Sequence, residues 1–375
     1  MPKSLFRRLT KKFFIIANII LAVLFLLGCY GGLFDPGYWW PLGYLTLGSF
    51  YLLLSLLLLV VFWFFVKPKW SLISFIAIAL AYKPVTHIVP PRLSVLFTTQ
   101  KQPDALRIMS WNVEHFDILE HKTHPKTKQE MLDLVNRYQP DVACFQEMVG
   151  SDSFPQAINY IPDMVARLQT PEYNFSYNPK LDFDGKHHFG LITFSRYPII
   201  KKQMVGFYPY DYNSIFQYSD IVKGADTFRV FNIHLQSLKF TSTNLEFIDN
   251  PEIKTPEDVT KSKNLLSKLK VGFLKRKTQS ERIKAEMDKS PYPVIVCGDF
   301  NDVPNSYAYT TIGSGLQNTF AKKGRGIGRT FTGISPTLRI DNIFVAENFE
   351  VMQFLRLRQK LSDHFPIFAD VEFKK

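Results

Sequence analysis

Cysteine is scarce, with three in 375 residues, at positions 29, 144 and 297. They are far apart, match no zinc-binding spacing and give little support to a disulfide scaffold. Cys144 and Cys297 each sit in an apolar run and read as small buried hydrophobes. Acids are short as well: 33 Asp and Glu face 45 Lys and Arg, for a formal charge of +12. That balance admits nucleic acid or an anionic membrane surface as partner and does not choose between them. Several catalytic signatures are missing. No G-x-x-x-x-G-K loop is present, so nucleotide-driven transport has no support. No G-x-S-x-G elbow is present. Without H-E-x-x-H or clustered Cys and His, zinc hydrolysis is the less favoured metal chemistry. There is no internal repeat and no long low-complexity tract.

Long hydrophobic runs are abundant, and they are confined to the start. Lys3, Arg7, Arg8, Lys11 and Lys12 precede an uncharged stretch from Phe13 to Phe34. Asp35 interrupts, and a second uncharged run extends from Pro36 to Val66, long enough to cross a bilayer. Lys67 and Lys69 close it. A third run, Trp70 to Tyr82, reaches spanning length only if Lys83 snorkels or the helix continues toward Val89. Charge bias places the amino terminus, Lys67 and Lys69 inside and the 30–41 loop outside. Three crossings put the following domain outside the cytoplasm and two leave it inside; the expectation is a multi-pass protein with an extracytoplasmic domain. LLGCY at 26–30 also resembles a lipoprotein cleavage site with Cys29 as the acylated residue. An ordinary first helix is preferred, because further apolar segments follow directly. The polar segments in these runs are few and uncharged, as in anchors rather than transport pathways. The chain divides into an anchor at 1–90 with two or three transmembrane helices, a linker at 91–103 and a catalytic domain at 104–375.

The second part alternates short apolar runs with polar loops. Strands are expected at 106–114, 141–148, 188–195, 227–236, 292–300, 339–346 and 365–373, with a helix at 126–138. Residues 261–289 hold ten Lys or Arg against three acids, a solvated helical face or an anionic contact. Several strands end in polar clusters: Asn112 and Glu114, Gln146 and Glu147, His234, Asp299 and Asn301. The simple physical account is a sheet core whose strand ends present groups into one cleft. Cleaving a phosphate ester requires charge on the phosphoryl oxygens to be offset, a water to be oriented and deprotonated, and a leaving oxygen to be stabilised. Asn112, Glu114, Glu147, Asp299, Asn301, Asp302, Asp341 and Asp363 offer hard oxygen ligands, which suit Mg²⁺ or Mn²⁺. His234 and His364 are available as proton carriers.

The ordered series SWNVE (110–114), QE (146–147), GLITFSRYPI (190–199), NIHLQS (232–237), GDFND (298–302), RIDNIFV (339–345) and SDHFPI (362–367) resembles the endonuclease/exonuclease/phosphatase superfamily, which includes deoxyribonuclease I. The resemblance implies a four-layer α/β sandwich of the deoxyribonuclease I-like type behind the transmembrane region. It implies a divalent-metal-dependent phosphoester hydrolase using Mg²⁺, with Mn²⁺ as substitute, acting by one-step water attack. Glu147 is similar to the principal metal carboxylate, Asn112 to the residue shaping the metal and phosphate site, and Asp363 to a further metal-side acid. Asp299 and Asn301 are similar to the pair positioning water and phosphate. His364 is similar to the histidine beside the scissile phosphate, Asp341 to its carboxylate partner and His234 to the second, phosphate-side histidine. Expected partners are a phosphoester substrate, either nucleic acid or a lipid headgroup, and membrane lipid around the anchor. The basic balance and the two histidines favour a phosphodiesterase of the nuclease kind, which is the leading expectation; the anchor favours the alternative, a lipid-headgroup or inositol-phosphate substrate. Asp302 reads as a turn or cap residue and Glu114 as a supporting acid or a surface charge. A binding module that has lost catalysis is the remaining alternative.

Overall fold

The computed structural model describes residues 3–92, 97–120, 122–152, 157–181, 185–207, 215–238, 240–249 and 254–374. Part of the expected 91–103 linker, residues 93–96, lies outside the described residues.

The apolar start forms helices α1 (Lys3–Tyr30), α2 (Pro36–Trp39), α3 (Pro41–Leu47), α4 (Ser49–Val66), α5 (Ser71–Leu80) and α6 (Tyr82–Ile88). The segments Phe6–Leu33 and Ser49–Val66 are long and apolar enough to cross a membrane. The third apolar run does continue to Ile88, but it bends by 74° at Ala81, between Pro68–Leu80 and Tyr82–Ile88. A third span therefore exists only if that broken pair counts as one. The bundle is tied internally by few polar contacts: Ser74 donates to Asn18 (2.7 Å), Asn18 Nδ2 to the Trp70 carbonyl (3.3 Å) and the Tyr30 hydroxyl to the Leu80 carbonyl (2.6 Å). Cys29 is buried among these helices.

The catalytic body begins with β1 (Leu106–Asn112), α7 (Thr127–Tyr138), β2 (Val142–Gly150), α8 (Ile161–Leu168), β3 (Glu172–Tyr177) and β4 (His188–Ser195). It continues through β5 (Ile199–Gly206), β6 (Ile215–Lys223), β7 (Asp226–His234), α9 (Ser242–Asp249), α10 (Pro256–Met287) and β8 (Val294–Asp299). It closes with α11 (Tyr307–Ile312), β9 (Leu316–Asn318), α12 (Thr319–Lys323), β10 (Asp341–Ala346), β11 (Phe349–Arg356) and β12 (Ile367–Phe373). Two six-stranded sheets result, in the orders β11-β12-β1-β2-β4-β3 and β5-β6-β7-β8-β10-β9. Their facing sides enclose one apolar layer that includes Ile108, Cys144, Val230 and Cys297. Helices α7 and α8 cover the outer side of the first sheet through Leu132, Val135 and Met164. Helices α10 and α11 cover the second through Ile283, Met287 and Ile312. The layers stack α/β/β/α, as the sequence implies.

Helix α10 explains the basic stretch. Thr255 and Asp258 form a capping box at its start, with Pro256 at the first turn. Its buried residues Phe273, Arg276, Ser280, Ile283 and Met287 recur every three or four positions, a single stripe on the sheet. Most of the lysines lie on the remaining faces. The amino-terminal helical bundle packs against this body at one end. Tyr44 donates to the Leu266 carbonyl (2.7 Å), Asn305 Nδ2 to the Pro84 carbonyl (3.0 Å), and Arg339 to the carbonyls of His87 and Ile88.

Candidate active site

Two parallel strand pairs position the site. Asn112 closes β1 and pairs with Gln146 on β2, so Glu147 follows one step beyond. On the other sheet His234 closes β7 opposite Asp299, the end of β8. Asp341 opens β10, antiparallel, and also lies opposite Asp299. His234, Asp299 and Asp341 therefore form one row across the sheet, and aligned residues on neighbouring strands share a face. Two backbone irregularities aim the row. Glu147 has φ +55 and sits where the β2–β4 register slips between Phe145 and Met148, a bulge that redirects its carboxylate. Gly298 has φ +149, and a Cβ there would stand 1.9 Å from the Ile233 carbonyl oxygen. Glycine alone lets β7 and β8 approach so closely.

Hydrogen bonds then join the two sheets at Asp299. Asn112 Nδ2 donates to Glu147 Oε1 (3.1 Å) and Asp299 Oδ2 (3.3 Å). Its carbonyl oxygen accepts from the Glu114 N–H (3.2 Å). Asn301 donates its backbone N–H to Asp299 Oδ1 (2.7 Å) and its amide to Asp299 Oδ2 (3.1 Å) and the Leu235 carbonyl (3.0 Å). His364 Nδ1 meets Asp341 Oδ2 at 2.9 Å; a carboxylate only accepts, so Nδ1 carries the proton. Nε2 is left facing Asp299 Oδ2 at 3.7 Å and Asp363 Oδ1 at 4.0 Å. The His364 backbone is fixed by Trp111 Nε1 on its carbonyl (2.9 Å) and by its own N–H on Ser362 Oγ (3.1 Å). His234 Nε2 lies 3.5 Å from Asp299 Oδ2 and 3.7 Å from Glu147 Oε1.

The charges are unevenly compensated. Burial pushes Asp299 up to about 7, with His364 pulling against it and Asp341 adding to it. Burial likewise raises Asp363 to about 6. Burial opposes charge on His364, but Asp341 and Asp299 outweigh it and hold the imidazolium up to about 10. Burial lowers His234 to about 4, so it is neutral at pH 7. Glu147 stays below the usual carboxylate range although burial works the other way, through attraction to His234 and His115 and the Asn112 hydrogen bond. With His234 neutral at pH 7, the Asn112 hydrogen bond and the charged His364 hold Glu147 down.

These residues fit a divalent cation. Four carboxylates, Glu147, Asp299, Asp341 and Asp363, crowd a half-buried space. Asp341 Oδ1 and His234 Nε2 are buried without a hydrogen bond among the described residues. Ligand atoms of Asp299, Asp341 and His364 lie within 4.8 Å of one another, but His364 keeps its protons there, so the carboxylates are the available donors. A hard, oxygen-rich donor set suits Mg²⁺ or Mn²⁺.

All eight residues singled out in the sequence converge here, with Asp363 at the rim, its side chain 43% exposed. Glu114 supports that rim, accepting the Asp363 N–H at 3.1 Å. Asp302 is more than a turn residue: its Oδ2 pairs with the buried Arg276 Nε at 2.9 Å. Tyr177 stacks on His188 at 4.0 Å, and neither lines the cavity over the site. Sequence reasoning passed over His115, whose Nε2 lies 3.7 Å from Glu147 Oε2. Its position beside Glu114, in the first motif, was the available signal. It also passed over Thr330, whose hydroxyl accepts the N–H groups of Ile340 and Asp341 (3.0 and 3.1 Å).

A cavity of about 680 Å³ opens on Glu147, His234, Asp299, Asn301 and His364. Its walls include Tyr44, Leu47, Gly48 and Tyr51 from the amino-terminal bundle.

Comparison with known proteins agrees with this geometry. No curated protein matches the chain. Among solved structures, a family protein from Leptotrichia buccalis is 18% identical with a TM-score of 0.50, over 72% of this chain and 100% of that one. The human Nocturnin catalytic domain with bound sulfate anion is 17% identical with a TM-score of 0.50, over 76% and 99%. An endonuclease/exonuclease/phosphatase from Bacteroides vulgatus is 18% identical with a TM-score of 0.50, over 72% and 99%. These likenesses bear on the fold. A sequence model described as a domain of unknown function matches residues 11–88. The sequence model of the Endonuclease/Exonuclease/phosphatase family matches residues 109–364, well over half of the chain, and the chain belongs to that family.

Proposed function

We propose that this chain is a membrane-held phosphodiester hydrolase that depends on a divalent metal and acts by one-step water attack. The observation that carries the reading is Asp299. It accepts from Asn112 and Asn301, faces both histidines and lies in register with Asp341.

Mg²⁺, or Mn²⁺, held by Glu147 with Asn112 and Asp363, would offset charge on the phosphoryl oxygens. Asn112 braces Glu147 and Asp299 at their present separation. Asp299, lifted toward neutral pH by burial, takes one proton from the attacking water while Asn301 fixes its orientation. The water oxygen bonds to phosphorus and the P–O bond to one ester oxygen breaks. His364, kept charged and aligned by Asp341, gives the leaving oxygen its proton. Neutral His234 faces the phosphate as a hydrogen-bonding group.

The domain reading is an anchor at 1–90, a linker at 91–103 and the catalytic domain at 104–375. The localisation reading is a multi-pass protein with its catalytic domain outside the cytoplasm. Its support is the end of the bundle at which the body docks. Lys11, Lys67 and Lys69 lie together at one end, while the catalytic body contacts Tyr44, Pro84 and His87 near the other.

The test is hydrolysis of bis(4-nitrophenyl) phosphate by the full chain in detergent, with Mg²⁺ and with EDTA. Glu147→Gln is expected to lower turnover by about a hundredfold or more with circular dichroism unchanged. Full turnover in EDTA rejects the metal mechanism; wild-type turnover in both Asp299→Ala and His364→Ala rejects the site.

A further inference from the structure

The cavity takes walls from both halves of the chain. Tyr44, Leu47, Gly48 and Tyr51 stand at i, i+3, i+4 and i+7, one helical face. Gly48, at φ −83 and ψ 0, breaks the ladder between α3 and α4, and α4 resumes with the Tyr51 and Leu52 N–H groups on the Gly48 carbonyl (2.9 and 3.1 Å), so Tyr51 carries the face onto α4. Further along α4 it becomes Leu54, Leu58, Val61 and Phe65, all exposed. One apolar stripe thus leads from the face the anchor turns outward to the side chains around Asp299. The catalytic body adds Leu238, Phe273, Phe331 and Leu338 to the lining. The wall is fastened on both sides. The Tyr51 hydroxyl meets Ser335 Oγ at 2.9 Å, and the Tyr44 ring packs edge-on against Phe273 at 5.5 Å.

A polynucleotide is tracked by cations along an open groove and by exposed aromatic faces. Here the only Lys or Arg in the lining, among the described residues, is Arg276. It is engaged by Asp302 (2.9 Å) and the Gln236 carbonyl (3.0 Å). The cations stand outside the cavity, on α10. Lys270 lies 4.5 Å over the Trp40 ring, and Trp39, Leu266 and Val271 are exposed nearby in the chain. Aromatic side chains, apolar side chains and lysines in this combination suit the surface of an anionic bilayer.

Resting on the hydrolase reading above, we propose that the substrate is a membrane lipid phosphodiester. Its acyl chain lies along the α3–α4 face, and its phosphate reaches Glu147, Asp299 and His364. Water adds to phosphorus and one ester P–O bond breaks, leaving an alcohol and a phosphomonoester.

The experiment uses the full chain in phosphatidylcholine vesicles containing phosphatidylglycerol with a photoactivatable acyl chain. Peptide mapping after illumination is expected to find labelling of Tyr44–Tyr51 at least threefold denser than of Leu54–Phe65. Leu47→Trp and Leu338→Trp, which fill the cavity from the bundle and from the catalytic body, are each expected to reduce that label at least fivefold. In parallel, the ratio of phosphatidylglycerol to bis(4-nitrophenyl) phosphate turnover is expected to fall at least tenfold in both variants. Labelling no denser at Tyr44–Tyr51 than along the rest of α4, with the soluble diester hydrolysed and a single-stranded oligonucleotide cleaved, overturns the lipid assignment and leaves the hydrolase. Dense labelling at Tyr44–Tyr51 with no phosphoester hydrolysed keeps the lipid site and rejects the hydrolase instead.

Discussion

Replacing Asp341 by Asn tests how the site controls its proton donor. His364 rises from its ordinary value of 6.5 to about 10, against burial, through Asp341 and Asp299. That rise corresponds to on the order of 5 kcal/mol favouring the imidazolium. Asp341, at 2.9 Å against 3.7 Å for Asp299, supplies the larger part, roughly 3 kcal/mol at an effective dielectric between that of water and a dry interior. Asn keeps the shape and an accepting oxygen but removes the charge. The alkaline limb of kcat on bis(4-nitrophenyl) phosphate should therefore move by about two pH units toward neutral, and kcat at about pH 9 should drop by roughly tenfold. Stability gives a second reading. His364 titrates higher folded than unfolded, so its stabilising contribution is complete below pH 6.5 and is lost as pH rises toward 10. Asp299 is raised too, but its contribution is already lost once pH has passed about 7. Between about pH 7.5 and 10 the wild type should thus lose roughly 3 kcal/mol more than the variant, measured by denaturation in detergent. An alkaline limb that stays in place, with kcat within threefold of wild type, would refute the reasoning.

Arg276→Met leaves Asp302 buried without its partner and should destabilise the chain by about 3–5 kcal/mol, read as a lower melting temperature. Gly298→Ala should cost about 3 kcal/mol or more and separate β7 from β8; a melting temperature within a degree of wild type would contradict the close approach of these strands. A reporter fused to the carboxyl terminus should be active only in its extracytoplasmic form. Activity of a cytoplasmic reporter there would remove the three-crossing topology.

Much of the site could be read from the sequence because its residues sit at the ends of apolar strands, where polarity is conspicuous. Strands β5 and β6 were not legible in that way. β5 is an exposed edge with Lys201, Lys202 and Gln203 in succession, polar as edge strands often are. β6 is buried along Ile215–Ile221 yet holds Gln217, Ser219 and Asp220. Two are matched by partners well away in sequence, Gln217 donating to Thr193 Oγ1 (2.9 Å) and Ser219 accepting from Asn174 (3.1 Å), and Asp220 pairs with Arg229 (2.6 Å) across the β6–β7 hairpin. Hydropathy cannot anticipate such matching. The continuous helix α10 was masked by its lysines, which dilute the apolar stripe. The bend at Ala81 follows from Pro84, which has no N–H for the Leu80 carbonyl; that carbonyl accepts the Tyr30 hydroxyl instead (2.6 Å). The anchor's share in the cavity was likewise out of reach, since Tyr51 and Ser335 meet across 284 positions of chain.

The contact between Gly43 and Phe273 bears on what counts as the enzyme. A Cβ at position 43 would stand 2.6 Å from the Phe273 ring, so α3 lies almost directly on α10. At the other edge Asn305 accepts and donates to His87 and Pro84 at once. A soluble fragment starting near residue 104 would bare Phe273, orphan Asn305 and leave the reaction chamber open along one side. A borrowed membrane helix would restore hydrophobicity but neither the fit at Gly43 nor the tyrosine tethers. The amino-terminal bundle and the catalytic body are therefore not interchangeable parts: a change on one side of that seam limits which changes the other can accept.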